Sequence, residues 1–472
     1  MNNSFKNGMF FTAIGQYSNV LIQLLINVVL SRLIPVEEFG VVATVQVFLV
    51  FFQLLVTAGM GPAIIQNRNL SEKDYGILFN YTIPFSIILA VIFGSFGYIV
   101  AQVYNNSIYI NLFWCMSVIV LSEGMNVVPT AILNKELRFK TLNMRLLFCN
   151  VIGAIFGILA AVAGFGVYAL IISAAFPAIA TLIANFAVVR IQYTKSFDPR
   201  PLKEIWGFAR NQLGFTILNY FSRNSDNLFI GKFLGPIPLA NYQKSYQLIT
   251  MPNTVFLGII SPVLQPVLSK HQDDVKLIRE TFMSIVHILA LLAFPLTSFM
   301  VMNSSEIVLF LFGSRWEGAI APFTILAFST WAQMLTSATG SIFMARNHSR
   351  TLFYTGCVST ILIVSCTLIG IGFGKITMVA LFICIGYIIN FITSYGILLY
   401  KVLESSFKEL LKVLISPFIL GLISFMVLWG ANEVLSFSNN FLSLLVKGVV
   451  WLLFLIIYLF FTGEIEALKK LK

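Results

Sequence analysis

The sequence predicts an all-α integral membrane protein of about fourteen transmembrane helices. Two six-helix lobes, related by a parallel internal repeat, would surround a central cleft, with two extra C-terminal helices appended. Three observations carry this reading: a composition too apolar for water, the spacing of the apolar stretches, and a likeness between the two halves. Of 472 residues, 58% are hydrophobic and only 10% charged, and the mean hydropathy is +0.89. Soluble domains carry roughly 25% charged residues, so a chain this long could not cover its apolar surface with polar groups in water. The net charge of +11 would suggest nucleic acid in a soluble protein. In a membrane protein it reports topology first, and no nucleic-acid partner is expected.

Crossing the hydrocarbon takes about 20 helical residues. Such stretches run approximately over 9–33, 38–60, 77–103, 108–132, 143–164, 166–190, 207–231, 239–265, 281–302, 318–344, 351–372, 376–400, 411–431 and 441–462. The first and seventh are rich in polar residues. The 303–317 stretch is too short to span and reads as an interfacial or loop helix. Connections are short, so no folded soluble domain fits on either side. The N-terminal MNNSFKNGMFF leads into an apolar stretch without a small-residue cleavage site, as expected of a first transmembrane helix. The five cysteines lie in apolar segments without a CxxC spacing and read as small hydrophobes.

The positive charges test this topology. With a cytoplasmic N-terminus, Arg32, Lys232, Arg315 and Lys375 fall on the outer side, and Arg223, Lys244 and Lys447 fall inside spans. The other 23 of the 30 Lys and Arg residues fall on the cytoplasmic side, as the positive-inside rule demands. Both termini are therefore expected in the cytoplasm.

Residues 14–42 overlay residues 214–242: Asn19 meets Asn219, Asn27 meets Asn227, and Arg32 meets Lys232. FKTL at 139–142 likewise meets SRTL at 349–352. Six spans separate the copies, so both point the same way through the bilayer. The expected organisation is an N-terminal lobe over 1–193, a cytoplasmic linker over 194–206 and a C-terminal lobe over 207–401. Residues 402–472 hold the two extra helices and a cytoplasmic tail. Two lobes around a cleft is transporter architecture.

Gln16, Asn19, Gln23 and Asn27 share one helical face, and the matching positions are Thr216, Asn219, Arg223 and Asn227. Such a stripe faces either a wet cavity or a neighbouring helix with which it bonds. Gln46, Gln53, Gln247 and Asn253 extend the lining in the adjacent spans. Six ionisable groups lie deep in spans: Glu123, Arg223, Asp226, Lys244, His287 and Lys447. Arg223 and Asp226, three residues apart, can pair within one helix or respond to substrate or ion. Glu123 and His287 are candidates for proton exchange, with cross-helix hydrogen bonding as the structural alternative. Lys244 can snorkel from a shallow depth, and Lys447 can meet a lipid head group. Prolines at Pro84, Pro177, Pro252, Pro295 and Pro417 allow bending. No nucleotide-binding, hydrolase or metal-site pattern occurs. No catalytic residues, metal or cofactor are therefore expected, and the protein is not read as an enzyme. Transport energy must come from a gradient or a partner.

LSRLIPVEEFG at 30–40 resembles the R-L-x-x-x-x-E-F-G signature of the polysaccharide exporters. GMGPAIIQNRNLSEKD at 59–74 is similar to the corresponding segment of the colanic and teichuronic acid exporter branch. LGPIPLANYQKSYQL at 234–248 and the PVLSKHQDD stretch resemble their second-half counterparts. The resemblance covers essentially the whole chain. It implies membership of the multidrug/oligosaccharidyl-lipid/polysaccharide (MOP) exporter superfamily, in the bacterial cytoplasmic membrane. It further implies a flippase moving undecaprenyl-pyrophosphate-linked oligosaccharide units to the outer leaflet, with H+ or Na+ as coupling ion. Polymerase and glycosyltransferases would be partners. Arg223 and Lys244 would then contact pyrophosphate, and Asn19, Gln23, Asn27, Gln53, Asn219, Asn227 and Asn253 sugar or water. Glu123, Asp226 and His287 would be coupling candidates. A multidrug antiporter, a lipid II flippase and a membrane polysaccharide polymerase or ligase are the competing readings. A net-cationic cleft disfavours cationic drugs, and the short outer connections leave little room for an enzyme's chemistry.

Overall fold

The computed structural model describes residues 3–57, 60–67, 69–192, 196–268, 272, 274–435, 437 and 439–464. Every regular element among them is helical, and the chain divides into two compact units, Met1–Ala240 and Asn241–Lys472.

The first unit holds α1 (Asn3–Leu33), α2 (Val36–Thr57), α3 (Met60–Gln66), α4 (Glu72–Tyr104), α5 (Ile108–Lys135), α6 (Phe139–Val162), α7 (Val167–Val188) and α8 (Arg200–Leu234). The start of α4 is encoded locally. Ser71 accepts from the Asp74 amide while the Asp74 carboxylate accepts from the Ser71 amide, a reciprocal capping box. The same helix ends on Asn105 in the left-handed conformation, where asparagine is tolerated better than most side chains. Antiparallel pairs α4–α5 and α6–α7 form the body of the unit. Gly153 and Gly157 let α6 approach α7 closely, because an added Cβ at 153 would lie 2.4 Å from Pro177 Cγ. Phe52, Phe93 and Phe113 fill the centre, with Phe93 and Phe113 4.7 Å apart. α8 packs against α2, α3 and α4.

α9 (Pro236–Leu268) leads into the second unit, followed by α10 (Val275–Met302), α11 (Ser304–Phe312) and a tight helical turn over Ser314–Ala319. Then come α12 (Ile320–Ala327), α13 (Thr330–Ser337), α14 (Thr339–Ala345), α15 (Ser349–Gly372), α16 (Ile376–Lys401), α17 (Phe407–Val434) and α18 (Asn440–Phe461). Asp274 caps α10 through the Leu277 amide at 3.0 Å, and Asn439 caps α18 through the Phe441 amide at 2.9 Å. The core of this unit joins α10, α13, α16 and α17, where Tyr395 donates to the Leu335 carbonyl at 3.0 Å.

Among the described residues, ten helices are long and apolar enough to cross a membrane, or eleven with one bent pair counted as a span. That pair, Ser314–Ala327 and Thr330–Ala345, bends by 54° within the stretch that the sequence reads as one span over 318–344. The cause is written in FSTWAQMLTSATGS. The hydroxyls of Ser329, Ser337 and Thr339 donate to the carbonyls of Leu326, Met334 and Thr336, three residues back, and compete with the helical ladder. α1, α8 and α9 have spanning length at 31, 35 and 33 residues, and Tyr17–Leu33 of α1 is a shorter apolar stretch among the described residues. The 303–317 stretch forms the short helix α11 and its turn, as expected of a segment too short to span.

Candidate functional site

In the first unit, the polar stripe of α1 is partly spent on its neighbour. Asn150 on α6 donates to Asn19 Oδ1 at 2.6 Å, the helix-to-helix use of such a residue. Asn27 donates to the Gln23 carbonyl one turn back, and Gln23 itself is exposed. The Gln53 carbonyl accepts from Thr57. Glu123 is half-buried on α5 and makes no hydrogen bond or ion pair among the described residues. Asp226, buried on α8, accepts from the Asn227 amide at 2.8 Å. The side chains of Asn219 and Arg223 lie outside the described residues, and with them the suggested Arg223–Asp226 pair.

α8 is fastened to α2 and α4 along the half that follows Tyr220. The Tyr220 hydroxyl donates to the Val47 carbonyl, and the Tyr104 hydroxyl to the Leu228 carbonyl at 3.3 Å. Lys232 donates to the Val103 carbonyl and lies over the Tyr104 ring. The exporter-like signature at 30–40 belongs to the same end. A Cβ on Gly40 would fall 1.9 Å from the Pro236 carbonyl oxygen, so only glycine lets the start of α9 seat there. Glu38 lies beside Gly166 at the start of α7, where φ of +52° also favours glycine. At the opposite end, the segment before α8 is tied to α4. Asn80 donates to the Ser196 carbonyl at 3.1 Å, Tyr81 to the Phe197 carbonyl at 2.7 Å, and Arg200 pairs with Asp74 at 2.8 Å.

In the second unit, Lys244 does not snorkel. It is 5% exposed on α9, with its ammonium 4.8 Å from the centre of the Phe312 ring and 5.1 Å from that of Trp316. Aromatic faces attract a desolvated cation, which is why it stays inside. Asn253, further along α9, has a buried Oδ1 without a hydrogen-bond partner among the described residues. Lys447 does not reach a lipid head group. It forms an ion pair with Glu306 of α11 at 2.5 Å. His287 on α10 bonds the Val413 carbonyl and Glu464. Glu306 and Glu464 escaped sequence reasoning because one lies in the stretch read as a loop and the other just beyond the last span. Phe312 and Trp316 escaped it because an aromatic residue in an apolar segment reads as core. Glu306 carries one sequence signal, an acid in an otherwise apolar stretch, but nothing in the sequence names Lys447 as its partner.

Residues 29–321 match the polysaccharide biosynthesis protein family. The chain belongs to this family. Among its relatives, the teichuronic acid biosynthesis protein TuaB of Bacillus subtilis (strain 168) is 26% identical, over 98% of this chain and 97% of its own length. The lipopolysaccharide biosynthesis protein WzxC of Escherichia coli (strain K12) is 25% identical, over 86% of this chain and 83% of its own. The fold matches the lipid II flippase MurJ in its inward closed conformation, with a TM-score of 0.75 at 14% identity, over 97% of this chain and 99% of that one. The polysaccharide biosynthesis family member described here therefore has the fold of a lipid II flippase and is a multi-pass bacterial membrane protein.

Proposed function

We propose that this protein is a flippase that carries an undecaprenyl-pyrophosphate-linked oligosaccharide unit from the cytoplasmic to the outer leaflet for surface polysaccharide synthesis. The observation that supports this most is the chain-long fold match to a lipid II flippase in a member of a polysaccharide biosynthesis family. Lipid II is itself a lipid-linked sugar, and the named relatives concern surface polysaccharides.

The mechanism is alternating access between the lobes 1–193 and 207–401, joined by the linker 194–206, with fourteen crossings, residues 402–472 appended and both termini cytoplasmic. On that assignment α8 belongs to the second lobe. Its bonds to α2 and α4 through Tyr220, Tyr104 and Lys232 then close the outer side and must part for release. Arg223 holds the pyrophosphate. Lys244 joins it only if the aromatic rings release the ammonium, since both compete for one charge. Gln23, Asn27, Gln53, Asn227 and Asn253, with Asn19 and Asn219, meet sugar or water. Glu123, Asp226 and His287 exchange the coupling ion, H+ or Na+.

Deleting the gene from its own host tests this reading. The expected result is loss of surface polysaccharide with build-up of lipid-linked units, restored by the wild-type gene. Arg223→Ala should fail to restore polymer at a normal membrane level of protein. Wild-type polymer from that variant would remove Arg223 from the site, and normal polymer in the deletion strain would overturn the function. Polymer loss without lipid-linked build-up would point instead to the assembly enzymes.

A further inference from the structure

The second unit contains a hydrogen-bonded site whose arrangement requires a proton. His287 lies on α10 with Nδ1 2.9 Å from the Val413 carbonyl oxygen of α17 and Nε2 2.8 Å from Glu464 Oε2. The other carboxylate oxygen of Glu464 accepts from the Ser416 hydroxyl at 2.8 Å. A carbonyl oxygen cannot donate, so Nδ1 carries a hydrogen. Nε2 then faces a carboxylate oxygen at hydrogen-bond distance, and two lone pairs repel unless a second hydrogen lies between them. The pair therefore holds one proton more than a neutral imidazole beside a carboxylate. Whether that proton is drawn on nitrogen or on oxygen, it belongs to the pair.

We infer that His287, Glu464 and Ser416 form a proton-binding clasp that fastens the chain just beyond α18 to α10 and α17. Loading one proton closes it; losing that proton opens it. Among the described residues, Glu464 is the charged group that bonds the ring. On α10, Lys276 and Glu280 lie near each other at 4.0 Å, and Arg279 bonds the Glu404 carbonyl and approaches Glu409 of α17 at 3.9 Å. Lys412 is exposed. α12 and α13 carry no ionisable side chain, Glu306 of α11 pairs with Lys447 of α18, and neither reaches His287 among the described residues.

Burial works against the charged form of Glu464, but hydrogen bonds from His287 and Ser416, with the imidazolium charge, hold its carboxyl below the usual carboxylate range. The clasp thus persists into acid until Glu464 itself is protonated. As pH rises it opens when the shared proton leaves, because the Nε2 lone pair then faces an anion. The site exists independently of the flippase reading; only its use as a coupling or gating proton rests on it.

The chain has three histidines, so a variant with His271 and His348 replaced by Asn leaves His287 as the single imidazole. Solid-state 15N spectra of its labelled ring in lipid vesicles, across pH, read the titration directly without transport. The expected spectrum shows Nδ1 protonated at every pH, and a transition in which Nε2 loses its proton. In Glu464→Gln the Nε2 signal at neutral pH should lose its protonated form, because the anion that holds that hydrogen is gone. Ser416→Ala should reduce it less. An Nε2 signal unchanged in Glu464→Gln, or a neutral ring protonated at Nε2, would overturn the inference. If the triple variant fails to assemble, the pH dependence of thermal unfolding in Glu464→Gln and wild type gives the same decision. Curves that stay parallel through neutral and alkaline pH would refute the clasp.

Discussion

At the scale of single residues, depth alone did not determine the role of a buried charge; its partner did. Lys447 lies deep in α18 and meets Glu306 at 2.5 Å, with Ser443 bonding the same carboxylate. Removing one member of a buried pair strands the other, at a cost of about 3–5 kcal/mol, whereas replacing both by apolar residues is often neutral. Lys447→Met should therefore lower the unfolding midpoint in detergent sharply, and Lys447→Met with Glu306→Leu should recover most of it. A double variant no better than the single would show that the pair is not the source of the loss. The intramembrane cations were legible from composition because a charge in an apolar run stands out. Their partners were not legible, because Glu306 and Glu464 are separated from them by over a hundred residues and only the fold joins them. Lys244 illustrates the same limit: its aromatic cage comes from α11 and the turn after it, not from α9.

At the scale of elements, helix boundaries followed local chemistry. Asp74 serves both the capping box of α4 and the ion pair with Arg200, whose side chain is 64% exposed. The exposed partner contributes little, about 0.2–1 kcal/mol, while loss of a cap costs about 0.5–2 kcal/mol. Asp74→Ala should thus destabilise the protein more than Arg200→Ala, as measured by chemical unfolding in micelles. Equal losses would mean that the ion pair, not the cap, carries the effect. The spans were visible as apolar runs, and the 303–317 stretch as too short to be one. The 54° break near Ser329 was not, because hydropathy does not register a hydroxyl that competes with the helical ladder. α1 and α8 were read as spans although they carry more polar residues than the other apolar stretches.

At the scale of the whole molecule, fold class was the most legible feature: a chain with 10% charged residues has few alternatives to a helical membrane protein. The family followed from a short signature, and the structure supplies a physical reason for its glycine, since Gly40 leaves room for the backbone of Pro236. The cleft chemistry was less legible because polar residues on a helix face do not declare whether they meet water or another helix. Asn19, bonded to Asn150, shows that some meet a helix. The proposed function is movement of a lipid-linked sugar. Its most direct test is the purified protein alone in vesicles, with a labelled undecaprenyl-pyrophosphate-linked oligosaccharide in one leaflet and an imposed proton or sodium gradient. Label should cross faster than in protein-free vesicles, and dissipating the gradient should slow it. Crossing no faster than in protein-free vesicles, with either gradient, would contradict it.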